Sequence, residues 1–199
     1  MSWYHEKDLM WVFERGEGLC VSAFFVMAGI FMAQTVDSID MKNAVKAFSL
    51  YTKKRFFRLY EPIILVTVLF LIEVRFVQHN IGIKEFPLYW TSFLMIANIN
   101  GILGNNIVWF AVALFWCSLP LSAFLFVKKD WSIRLIFPLV FFFGFSFLYN
   151  RYGHLCIHSE PLINDWISSG LVKCSVELVF GIELFYFYKL FKKFCVKKV

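Results

Sequence analysis

Arg55 and Arg58 stand three residues apart, a spacing that puts both guanidinium groups on one face of a helix. Two planar guanidinium forks can grip phosphate oxygens bidentately, which makes the pair a candidate anion site. The alternative is that both are anchors whose charged ends snorkel to lipid headgroups. Other ionisable residues fall inside apolar stretches, where charge is costly and therefore a functional suspect. Lys173 and Glu177 are four apart and can neutralise each other; Glu73 and Arg75 are two apart and point to different faces. Glu183 has no partner in its own helix, so it is either protonated or faces another helix. For these residues structural pairing outweighs catalysis. His154 and His158 would share a helical face and could bind zinc, but no Glu follows His154 as an HExxH motif requires, and Gly153 with Pro161 marks a loop. No metal site is expected.

The elements that must position these groups follow from composition. The chain has 199 residues, of which 60% are hydrophobic, 21% aromatic and 17% charged. That balance excludes a disordered chain and a disulfide-stapled secreted module. With 26 Phe against 10 Gly and 5 Pro, it also argues against a membrane barrel, whose strands alternate apolar and polar residues. Helices must do the spanning, and the fold expected is an all-α polytopic membrane bundle.

A helix needs about 20 mostly apolar residues to cross the hydrocarbon. Five runs meet that length, at 18–36, 59–78, 107–127, 131–150 and 171–190, and a shorter sixth lies at 87–97. Positive residues favour the cytoplasmic side, and three segments are basic. Lys42, Lys46, Lys53, Lys54, Arg55 and Arg58 fall in 37–58, Lys128, Lys129 and Arg134 in 128–134, and Lys189, Lys192, Lys193, Lys197 and Lys198 in the tail. If 87–97 spanned, the 128–134 connector would be forced outside. If it lies in the interface or forms a re-entrant turn, five spans put all three basic segments in the cytoplasm, and residues 1–17, 79–106 and 151–170 face outward. The second arrangement is preferred. Trp3, Trp11, Trp90, Trp109, Trp131 and Trp166 all sit near the proposed boundaries as an aromatic belt.

The net charge of +6 gathers at the ends of apolar runs and not on a soluble face, so no nucleic-acid partner is expected. Cys20, Cys117, Cys156, Cys174 and Cys195 form no CxxC pair and behave as small hydrophobes, so no disulfide is expected. Neither a signal peptide nor an internal repeat is visible, and residues 1–199 form a single membrane domain.

Four stretches in order carry a family resemblance. GEGLCVSAFFVMAGIFMAQ and YTKKRFFRLYEPIIL are followed by NNIVWFAVALFWCSL and SSGLVKCSVELVFGIELFYFYK. Together, over roughly residues 5–190, they resemble the acyltransferase 3 family, membrane-bound O-acyltransferases that include those of bacterial surface polysaccharides. The resemblance implies transfer of an acyl group, acetyl above all, from a cytoplasmic acyl-CoA to a hydroxyl of a carbohydrate or lipid-linked glycan, in the bacterial inner membrane. It implies that His5, placed 19 residues before Phe24, is the catalytic base, a task for which a His near neutral pH is suited. Otherwise His5 is a polar residue of a loose N-terminal tail. It further implies that Arg55 and Arg58 bind the acyl-CoA donor, and no metal takes part.

Two positions depart from the family pattern. Ala28 replaces the usual Ser before Gly29, and Glu61 intrudes in Tyr60-Glu61-Pro62, where its carboxylate could pair with Arg58 and weaken anion binding. Family members carry a helix before His5 and more spans after the last one here, so the chain is expected to be truncated at both ends. A partner chain supplying the missing helices would then be needed. The second reading is a catalytically incompetent remnant acting as a membrane structural or assembly protein. A small transporter or channel subunit ranks last, since it predicts inverted symmetry that the sequence lacks.

Overall fold

A computed structural model describes residues 3–39, 43–76, 109–153, 161–163 and 167–196, with side chains described from 18 onward except at 70, 71, 73–76, 161–163, 167 and 196. The run at 87–97 lies outside the described residues. The elements are α1 (Trp3–Ser38), α2 (Ala44–Phe76), α3 (Trp109–Trp131), a π-helical turn (Ser132–Ile136), α4 (Phe137–Tyr152), β1 (Pro161–Ile163), β2 (Ile167–Ser168) and α5 (Ser169–Val196). The two strands form a small antiparallel hairpin pairing Pro161 with Ser168 and Ile163 with Ile167, a feature the all-α expectation did not include.

Among the described residues two helical stretches are long and apolar enough to cross a membrane, Gly18–Ser38 and the 44 residues Trp109–Tyr152. All five long apolar runs fall on helices as far as they are described. The basic stretch 37–58, which lies between two of the expected spans, is helical from Ala44 onward, and no Gly or Pro interrupts it before Pro62. α2 continues through Pro62, which has no N–H to give the Arg58 carbonyl one turn back.

The tightest packing is between α1 and α5. Phe25, Met32, Ala33 and Val36 on α1 recur at helical spacing and are buried against Cys174, Leu178, Ile182 and Tyr186 of α5. Two glycines let the backbones meet: a Cβ on Gly29 would strike the Leu178 carbonyl, and one on Gly181 would strike the Val26 carbonyl. Small residues at such a crossing serve a lipid-embedded bundle, where van der Waals packing and not water exclusion draws helices together.

α3 is buried on two sides. Trp109, Ala113, Cys117, Leu121 and Leu125 join the α1–α5 core, while Ala111 and Phe115 face Ile63 of α2. Cys117 Sγ lies 3.3 Å from the Leu171 carbonyl of α5. Trp109 corrects the belt expectation. It is 9% exposed, packed edge-on to Phe25 and against Gly170, where a Cβ would collide with the indole. Trp131 is exposed, as a belt residue should be. The side chains of Trp3 and Trp11, and Trp90 and Trp166 entirely, lie outside the described residues.

The chain then bends. Lys128 leaves helical geometry at φ −142 and ψ 63, and the Ser132 hydroxyl lies 2.8 Å from the Lys128 carbonyl and 3.0 Å from that of Phe124. In a straight helix eight residues span about 12 Å, so the contact with Phe124 requires the bend. Beyond it α4 packs on α5, with Phe141 stacked on Phe180 and Leu148 against Val176. α4 ends at Gly153, whose φ of 70 lets its N–H reach the Tyr149 carbonyl at 2.8 Å.

Gly29→Ala or Gly181→Ala should each destabilise the fold by about 1–3 kcal/mol, because a methyl group there meets rigid backbone. Gly144→Ala should cost less, since the added atom meets only the Val176 side chain. Thermal unfolding in detergent, followed by circular dichroism, checks the ranking; equal midpoints for all three would contradict it.

Candidate functional site

Tyr51, Arg55 and Arg58 recur at helical spacing on α2, with Lys54 beside them, and the face they form looks onto α1. Between the two helices is a cavity of about 490 Å³. Its basic side is Lys54, Arg55 and Arg58; its apolar walls include Phe31, Met32 and Ile39 of α1 and Leu50 and Leu59 of α2, with Leu114 of α3 closing it. Among the described residues no carboxylate lines it. Arg55 and Arg58 are therefore brought together on one cavity, and three cations share a space that offers them no counter-charge among the described residues.

Arg55 is held at its root. Its Nη1 donates to the Tyr51 hydroxyl at 2.8 Å, and the guanidinium carbon sits 5.8 Å from the centre of the same ring. Arg55 Nε and Thr52 Oγ1 are buried without a hydrogen-bond partner among the described residues. A buried donor left without an acceptor is costly, so a ligand bringing acceptor oxygens relieves the guanidinium. Burial pushes the Tyr51 hydroxyl above its usual pKa, against the opposing pull of Arg55. The phenol therefore stays protonated and can also donate. Glu61 and Arg58 are both exposed, and among the described residues no ion pair joins them. Ala28, where the family pattern has Ser, lines this same cavity.

His5 lies in the first turns of α1, where the backbone is described and the side chain is not. A rise of 1.5 Å per residue sets it about 35 Å along the helix axis from Ala28. The structure does not bring His5 and the two arginines to one point.

Lys173 and Glu177 do meet, Nζ to Oε1 at 4.0 Å, and Lys173 is 2% exposed. Their surroundings add a residue that spacing could not reveal. Ser22 of α1 donates to Glu177 Oε1 at 2.6 Å, so the pair is tied across the α1–α5 contact. These three polar residues border a second cavity of about 330 Å³ whose other walls are largely apolar, with Phe141, Phe145 and Phe180 among them. Glu183 Oε1 is buried and has no hydrogen-bond partner among the described residues. The side chains of Glu73 and Arg75, and both His154 and His158, lie outside the described residues.

Asp37 is the other group that pattern reading passed over, because its partners lie far along the chain. Its Oδ1 pairs with Lys129 and its Oδ2 with Lys189, each at 2.5 Å. One carboxylate thus ties the end of α1 to the α3–α4 bend and to the far end of α5.

Comparison with curated proteins and with solved structures returns no match. A family model described as an acyltransferase domain matches residues 2–195, nearly the whole chain. With that span of agreement over the basic α2 motif and the α1 and α5 segments that frame it, the chain belongs to the acyltransferase 3 family.

Proposed function

We propose that the protein is an integral membrane O-acyltransferase that draws its acyl group, acetyl above all, from acyl-CoA and passes it to a hydroxyl of a carbohydrate or lipid-linked glycan. The observation that carries the donor half is the cavity between α1 and α2. Three cations with no lining carboxylate among the described residues suit the phosphates of coenzyme A, and apolar walls beside them suit its less polar arm. In the transfer the thioester C–S bond breaks and an ester C–O bond forms. The acceptor hydroxyl proton passes to a base, for which His5 is the candidate, and a proton ends on the released thiol.

The proposed setting is the bacterial inner membrane, with five spans, the three basic segments and the C-terminus in the cytoplasm, and residues 79–106 and 151–170 outward. The reading is supported by the positive-residue distribution. It places the donor cavity on the cytoplasmic side and His5 toward the other, so donor binding and proton removal belong to different ends of α1.

A structural role without turnover is the second reading. What favours it is Ala28, which presents a methyl to the donor cavity at the position where the family pattern carries a hydroxyl.

The test is kinetic. Release of free thiol from acetyl-CoA is followed with the full chain in membranes of cells that make a surface polysaccharide. Arg55→Ala with Arg58→Ala should raise the KM for acetyl-CoA by about tenfold or more, in line with loss of charge-assisted phosphate contacts. His5→Ala should lower kcat by about a hundredfold and leave donor binding in place. Wild-type membranes that release no thiol would point to the structural reading. An unchanged donor KM in the double variant would remove the arginines from donor binding.

Orientation has its own check. In a cysteine-free background, His158→Cys should react with a membrane-impermeant maleimide added to spheroplasts, whereas Lys46→Cys, Lys128→Cys and a retained Cys195 should react only after permeabilisation. Labelling of Lys128→Cys from outside would mean that the run at 87–97 spans after all.

A further inference from the structure

A second basic cavity, sharing no lining residue with the donor cavity, sits where α1 ends, α3 bends into α4 and α5 runs out. It measures about 290 Å³ and is lined by Lys129, Arg134, Lys189 and Lys193 with Asp37 and Asp130. Four cations against two carboxylates leave a net of two positive charges. Lys129 and Lys189 are already engaged by Asp37. Arg134 and Lys193 line the cavity and have no ion pair among the described residues.

A second observation points to a ligand. Tyr186 lines the same cavity, is 7% exposed, and carries Lys129 Nζ at 5.2 Å from its ring centre. Its hydroxyl is buried and makes no hydrogen bond among the described residues. Glu183, one turn back on α5, does not line the cavity. The cavity therefore presents donors of several kinds, a surplus of two charges and two lysines fixed by the Asp37 clamp.

Its mouth is apolar. A neighbouring cavity shares Asp130 and Arg134 and adds Trp131 and Leu135, both exposed, and Leu190 is exposed on the α5 side. A charged pocket opening onto exposed apolar side chains at the basic end of a membrane bundle matches an amphiphile that carries phosphate.

We propose that this cavity binds a phosphate group, best as a dianion, with Arg134 and Lys193 as its direct ligands and Lys129 and Lys189, held by Asp37, completing the cationic lining. The phosphate comes from the headgroup of an anionic membrane lipid or from a free phosphate, and the chemistry of recognition is the same for both. The proposal does not depend on the donor reading.

The test uses the full chain, purified and delipidated in dodecyl maltoside. Dioleoyl phosphatidic acid, dioleoyl phosphatidylglycerol and dioleoyl phosphatidylcholine are titrated separately, and retained lipid is counted by native mass spectrometry. Phosphatidic acid should bind about tenfold more tightly than phosphatidylcholine, with phosphatidylglycerol between them. R134Q/K193Q should lose most of that preference. K46Q/K53Q, which removes the same charge from α2, should keep it. Inorganic phosphate is the other arm: if it raises the melting temperature of the wild type but not of R134Q/K193Q, the site takes free phosphate, and if only the lipid does so, it takes a headgroup. Equal losses in the two double variants would show general charge attraction and overturn the proposal. Absence of any preference in the wild type, with no response to phosphate, would overturn it without reference to a variant.

Discussion

The approach of two helix backbones at Gly29 and Gly181 is the constraint on which the rest depends. Each glycine lies against a backbone carbonyl of the opposite helix, Gly29 against Leu178 and Gly181 against Val26, so the contact is reciprocal and leaves little slack. Because α1 and α5 cannot slide without a backbone collision, the polar groups on them are held in register. Ser22 meets Glu177 on one side of the crossing, and Asp37 meets Lys189 on the other. A single steric fact thus positions a buried ion pair and a three-element clamp.

The helices added to this pair serve different ends. α3 fills the core and carries α2 on its far side, and α2 brings its basic face to α1. α4 covers α5 with aromatic stacking. The two basic cavities arise where helices diverge from the tight crossing, since divergence leaves volume and the ends of membrane helices are where Lys and Arg are tolerated. In both, a side chain in the wall fixes part of the cationic set: Tyr51 holds Arg55, and Asp37 holds Lys129 and Lys189.

Much of this was legible in the amino-acid sequence, and the parts that were not share a cause. The apolar runs at 18–36, 107–127, 131–150 and 171–190 all fall on helices, because length and hydropathy are local properties. The shared face of Arg55 and Arg58, and the Lys173–Glu177 pair, follow from helical spacing. Ser22, Asp37 and Trp109 were not recognisable, because their roles are set by residues far along the chain: Glu177, Lys129 with Lys189, and Phe25. Trp109 is the instructive case. A Trp at the end of an apolar run reads as a belt residue, and only the small neighbour Gly170 across the bundle makes room to bury it. The spacing of Arg55 and Arg58 already implied a helix before the apolar run, and its start at Ala44 agrees with the Ala, Leu, Lys and Arg there, all strong helix formers.

The length of α1 has a physical consequence. Its 36 residues extend over about 54 Å, nearly twice the thickness of the hydrocarbon layer, yet the segment apolar enough to cross begins only at Gly18. The first fifteen residues of the helix therefore add about 22 Å of length beyond the segment apolar enough to cross.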